Sequence, residues 1–251
     1  IAFDVCGYSS YDGVSVTVKG SSVINGDIEV SRSSNNAKDV KLALEGGTIS
    51  GKLKIDSSST TSDAPTTVTK TENVSLTAPS GYTWTEVGNT EVLVKENSVA
   101  VVNGVGYATL AEAINAAGND DTVTLLKDVE LTSTLDLAKN ITIDGQGKYT
   151  IKAANSFTVG SDNKTYCVLY VSGEVTLKDV TVNGNEKCRV IFCDKGKLTI
   201  DGATITNGKA PNFIGGVYMT SSASFEMKSG SITGNKNAEQ YQNDKYVQYS
   251  S

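Results

Sequence analysis

Three phrases in the last third of the chain say nearly the same thing. VTLKDVTVNGN begins at Val175, LTIDGATITNG at Leu198 and FEMKSGSITGN at Phe225, so successive starts lie 23 and 27 residues apart (175 to 198, 198 to 225). Each phrase sets apolar residues at its first, third and eighth positions and ends in a Gly/Asn turn. Val175 and Leu177 alternate with Thr176 and Lys178, the period-2 mark of a strand with one buried face. Leu198/Ile200 and Phe225/Met227 repeat it, which directs all six apolar side chains inward and leaves Thr199 outward. A short apolar run precedes each phrase: Val168–Val171, Val190–Cys193 and Val217–Met219. Val182, Ile205 and Ile232 share one later position. Every repeat thus offers three short strands, and a unit of that size cannot bury its own faces. Stacked on its neighbours it can, and the arrangement this predicts is an all-β parallel β-helix.

The same grammar runs upstream. VTLLKDVEL (Val123–Leu131) and ITIDGQGKYTI (Ile141–Ile151) read as two earlier coils, the second followed by an excursion through Asn155–Lys164. Before them the period changes to that of a helix over 109–118. Thr109 and Glu112 have capping-box spacing, Leu110, Ala113, Ile114 and Ala117 form one apolar stripe, and Gly118 is placed to close the C-terminus. A helix there would cover the open strand edges of the first coil, which otherwise invite pairing with other chains.

The first part of the chain reads as a smaller β-rich module over residues 1–96, and 97–251 as the β-helix with its capping helix. VTVKGSSVINGDIEV (Val16–Val30) and LALEGGTISGKLKI (Leu42–Ile55) alternate like strands and start 26 residues apart (16 to 42). Ser57–Thr71 is expected to be a loop. Val74–Lys95 is expected to be a closing strand and hairpin, which makes the module the tail of a preceding β-helix.

The stretch VAVVNGVGYATLAEAINAAGNDDTVTLLKDVEL (Val99–Leu131) resembles the opening of right-handed parallel β-helix domains in large secreted bacterial surface proteins, of the kind called adhesin-like or pectate-lyase-like. The matching features are the short strand, the Y-x-T-L-x-E-A-I helix and the T-V-T-L-L-K-D strand after it. The likeness covers 97–236 well and 1–95 only in style. It implies a right-handed solenoid outside the cell, at the cell surface or secreted. It implies no single activity, because this fold carries lyases, hydrolases and passive stalks.

Composition narrows the chemistry. The sequence has 22 basic and 28 acidic side chains, a net charge of −6 and no histidine. That excludes a basic footprint for nucleic acid, and no Ser-His-Asp or Cys-His pair can exist. No apolar run approaches the roughly 20 residues of a membrane span, so no membrane insertion is expected. Glycoside hydrolysis generally asks for two carboxylates about 5 to 9.5 Å apart. Aligning the coils puts Asp144, Lys178, Asp201 and Lys228 at one position, so the two acids stand two coils apart with a lysine between them. Alternating signs read as an outward charge ladder. A lyase would need a base, and only Arg32 and Arg189 are arginines. Arg189 is expected at the surface, with no stacked cluster of acids for calcium. Asp120 and Asp121 are read as solvated turn residues. No catalytic, cofactor-binding or metal-binding residue is assigned.

Tyr166, Tyr170, Tyr218, Tyr241, Tyr246 and Tyr249 crowd the C-terminal coils. Exposed, they would stack on sugar rings or anchor a protein; otherwise they fill the core or stack on one another. Cys6, Cys167, Cys188 and Cys193 are either buried free thiols or include one disulfide, of Cys167 with Cys188 or Cys193. Together these features predict a non-catalytic extracellular module, an adhesin fragment or rigid spacer of a larger bacterial surface protein. Carbohydrate or a host surface protein is its expected partner, and a polysaccharide lyase or hydrolase is the alternative. YVQYSS (Tyr246–Ser251) mimics VYMTSS (Val217–Ser222) with no strand after it. That predicts a fragment cut inside a coil, with end-to-end self-association through the open coil or disorder beyond about Asn237.

Overall fold

The computed structural model describes residues 1–8, 13–32, 39–56, 66–211, 214–238, 240–242 and 245–247. Nearly every element is a strand, and parallel sheets stack as a β-solenoid of about eight turns. Contacts group the chain into two compact units, Ile1–Tyr107 and Ala108–Ser251.

In the first unit, Phe3–Gly7, Ile28–Arg32 and Leu53–Asp56 form one parallel sheet. Val14–Val18, Val40–Leu44 and Thr66–Lys70 form a second, and the short pair Val23–Ile24 and Thr48–Ile49 lies between them in sequence. Val16 faces Leu42, the 26-residue offset expected from the alternation. Ile28, Val30, Leu42, Leu44 and Val68 fill the space between the sheets. The stretch expected as a loop contains the strand Thr66–Lys70, whose β-branched run TTVTK suits a pleated strand; residues 57–65 lie outside the described ones. Parallel stacking stops at this strand. Thr90–Lys95 joins it antiparallel, and Tyr82–Val87 completes the expected hairpin. Lys70 pairs with Glu91 across that junction, its ammonium 5.2 Å from the Trp84 ring centre.

The second unit has three strand faces. The first face is Asp121–Leu125, Ile141–Asp144, Glu174–Lys178, Gly196–Asp201 and Ala223–Met227. The second is Val129–Leu131, Thr150–Ala153, Thr181–Asn183, Ala203–Thr206 and Gly230–Thr233. The third is Leu135–Leu137, Cys167–Val171, Arg189–Cys193 and Val217–Met219. Consecutive coils pair in parallel without a slip: Ile143 faces Leu177, Leu177 faces Ile200, and Ile200 faces Met227. All but the last of these are fully enclosed. Phe225 and Met227 hold the expected inward register yet are 41% and 43% exposed, because theirs is the final strand of its sheet.

The corners differ. Links from the third face back to the first are short throughout: 138–140, 172–173, 194–195 and 220–222. Links from the second face to the third run from 132–134 and 184–188 up to 154–166 and 207–216. All the large length variation therefore sits at one corner.

Leu110–Ala116 is the helix, begun by the complete Thr109/Glu112 capping box. Leu110, Ala113 and Ile114 are buried, and the helix packs on Asp121–Leu125, the first strand of the first face. It ends at Ala116, one residue short of the Leu110–Ala117 stripe. Ala117 is already extended, and Gly118 donates its N–H to Asp121 Oδ2 at 2.7 Å instead of capping the helix left-handed. The last carbonyls are met by a cation: Lys139 Nζ donates to Asn115 and Ala117 oxygens at 2.7 and 2.6 Å.

Lys245–Val247 pairs antiparallel with Gln240–Gln242, whereas its likeness to Val217–Met219 predicts parallel addition to the third face. Residues 239, 243–244 and 248–251, including Tyr249, lie outside the described ones.

Candidate functional site

The first face carries the expected charge ladder. Asp144 faces Lys178 in register, and Lys178 Nζ donates to Asp144 Oδ2 at 2.8 Å. One coil on, Lys228 and Asp201 approach to 3.9 Å. Lys197 and Glu226 pair nearby, and Lys152 and Glu130 do so on the second face. These carboxylates are thus occupied by lysines from adjacent coils. Asp120 sits in a left-handed turn at φ 66°, while Asp121 serves the helix end. Among the described residues, no three acids or thiols converge on a point that could hold a metal ion.

The third face is different in kind. Its strands CVLYV and RVIFC are buried at every position, inside and out. Loss of alternation means that both faces are covered. On the outer side Tyr170, Phe192 and Tyr218 occupy one register position in consecutive coils. Their rings stack along the solenoid at 5.8 and 5.4 Å between centres, tilted by 38° and 18°. Ring faces are therefore spent on one another, and the ladder offers edges instead of a platform for sugar rings. Phe192 completes the series that the tyrosines alone only hinted at; its signal was the shared third place in Val168–Val171 and Val190–Cys193.

Cations close this stack. Lys164 Nζ lies 4.5 Å from the Tyr170 ring centre and pairs with Asp136 at 3.2 Å. The Arg189 guanidinium carbon lies 4.7 Å from the Tyr218 ring centre and 5.7 Å from that of Phe192. Tyr170 donates its hydroxyl to Asp194 Oδ2 at 3.0 Å. Burial, and then this bond to a carboxylate, pushes the Tyr170 phenol up to about 12.

Arg189, expected at the surface, is 1% exposed. It is enclosed by the Phe192 and Tyr218 rings and by Asn163 and Ile214, which the links on either side of its coil bring against it. Its Nε donates to the Ile214 carbonyl at 3.1 Å and its Nη1 to Asn163 Oδ1 at 3.4 Å. Asp162 ties the first of these links into a turn, accepting from the Thr165 N–H at 2.7 Å and its hydroxyl at 2.6 Å. Those bonds hold the Asp162 carboxyl below its ordinary value. Arg32, in the first unit, is also buried and donates twice to Thr66 Oγ1 at 3.2 Å.

All four cysteines are free thiols. Burial pushes Cys167 and Cys188 up to about 12 and Cys193 to about 11, from an ordinary 9.0. Because the folded values lie above the unfolded one, this contribution to stability is intact below pH 9 and fades as pH rises toward 11 and 12. A thiol reagent at pH 8 is accordingly expected to label half-buried Cys6 in the folded protein, and the other three only after denaturation. Prompt labelling of all four would contradict the burial of the third face.

Comparison of this chain with family models, with curated proteins and with solved structures finds no match.

Proposed function

We propose that this chain is a non-catalytic module of a bacterial extracellular surface protein, a rigid spacer that holds binding loops along one edge. The observation that carries the reading is the concentration of long links at the corner between the second and third faces. A stack of coils in unbroken register resists bending, and loops gathered on one edge are held at fixed spacing from it. The acids best placed for hydrolysis, Asp144 and Asp201, are paired to lysines of neighbouring coils. Carbohydrate or a host surface protein is the partner such an edge would meet.

A panel of soluble polysaccharides, read for new reducing ends and for unsaturated uronates, tests the reading together with a glycan array and a host-protein pull-down. Binding without turnover is expected. Turnover abolished by Arg189→Ala or Asp201→Ala would overturn it in favour of a lyase or hydrolase.

A further inference from the structure

A charge buried as completely as Arg189 ordinarily has an opposite charge against it, since taking an ion out of water costs several kcal/mol. Among the described residues no carboxylate lies within ion-pair distance of this guanidinium. The ionisable groups that act on it are Cys167, Tyr218, Cys188 and Tyr166. Burial holds both thiols near 12 and raises the Tyr166 phenol, so these three groups are neutral at pH 7. What faces the cation is neutral: one carbonyl, one amide and two aromatic rings.

The hydrogen-bond count points the same way. A guanidinium has five N–H donors in a planar fork. The bond from Nε to Ile214 is well formed, that from Nη1 to Asn163 is long, and Nη2 has no partner among the described residues. The Nη1–Nη2 edge is one of the two that carboxylates grip with two parallel bonds. Its Nη1 end meets the 154–166 link at Asn163, whose amide oxygen is its acceptor among the described residues.

We propose that Arg189 is an anion receptor, its Nη1–Nη2 edge taking a carboxylate that displaces the Asn163 side chain. The residue is placed for it: the rings of Phe192 and Tyr218 hold the guanidinium flat, and Ile214 fixes its inner side. The ligand is a carboxylate borne by an acidic sugar or by a peptide side chain. This deepens the proposed function by naming the chemistry of a ligand at the loop-bearing corner.

The test reads the Arg189 Nε–Hε resonance of the intact protein by NMR, assigned by its absence in Arg189→Lys. Sodium glucuronate, an N-acetyl-glutamate amide, the methyl esters of both, and sodium sulfate are titrated in turn. A saturating shift with a free carboxylate and none with its ester supports the proposal, and the tighter of the two carboxylates identifies the source. No shift through millimolar carboxylate, or equal shifts with sulfate and ester, overturns it. Arg189→Lys keeps the charge and loses the fork, so carboxylate affinity, read in this variant from the main-chain amide shifts of residues 162–165, should fall by about tenfold or more. Asn163→Ala leaves the receptor in place and removes its competitor, so affinity should rise; a fall counts against the assignment. Polysaccharide turnover would overturn the proposed function while leaving these titrations unaffected.

Discussion

Replacing Ile200 by alanine is expected to lower the unfolding free energy by about 2–5 kcal/mol, the range for truncating an enclosed aliphatic side chain. Ile200 is 0% exposed and stands between Leu177 and Met227 in a stack whose spacing is set by main-chain hydrogen bonds. The cavity left behind cannot close, because neighbouring coils are held about 4.8 Å apart by their ladder. The informative control is Thr142→Ala, half-buried on the outer side of the same sheet, for which a loss well under 1 kcal/mol is expected. Thr199, expected outward and cheap to replace, is a poorer control. It is 6% exposed, in register with Thr176 on one side and Glu226 on the other. Denaturant titration of the three variants measures all of this, and equal losses for Ile200→Ala and Thr142→Ala would mean that inside and outside are exchanged.

Gly196→Ala is expected to cost about 2–4 kcal/mol, combining a left-handed backbone with a steric clash. Its φ is +78°, and an added Cβ would sit 2.2 Å from the Gly173 carbonyl oxygen one coil away. Gly173 is itself pressed against Lys139, where a Cβ would meet the carbonyl oxygen at 2.4 Å. Glycines on adjacent coils thus let the tight corner between third and first faces close. Gly147 separates the two contributions, with φ +68° and nothing within 4 Å of an added Cβ. Gly147→Ala should cost only about 1–2 kcal/mol, the conformational part alone. If the two substitutions cost the same in thermal or chemical melts, coil-on-coil contact at Gly196 contributes nothing.

The first face was legible residue by residue because one side of it is wet. Alternation marks Val175, Leu177, Leu198 and Ile200 as inward, and the same alignment pairs Asp144 with Lys178 and Asp201 with Lys228. The helix was legible from Thr109 and Glu112, whose side chains each meet the other's main chain. The third face was not, since an apolar run such as RVIFC carries no period from which sides could be told. Arg189 illustrates the cost. Its charge argues for the surface, and only the rings and the two links brought against it override that. Chain length alone foretells no such cover. Thr66–Lys70 was hidden for a related reason: threonine-rich sequence serves loops and strands alike, and its partner Val40–Leu44 decides between them.

The unequal corners have a consequence for how a molecule like this can change. Coil stacking demands a constant number of residues on each face and in the tight links of 172–173 and 194–195. Within 207–216 the strand Lys209–Pro211 pairs with Lys236–Ala238 of the next coil, but no such demand is made at 154–166, where chain is paid out and taken back between the same two rails. Inserting or deleting residues there costs only the slowly growing entropy of a longer loop. New sequence can be tried in that link without renegotiating a strand pairing, so the solenoid behaves as a rack on which a recognition segment is exchanged while the frame stays constant.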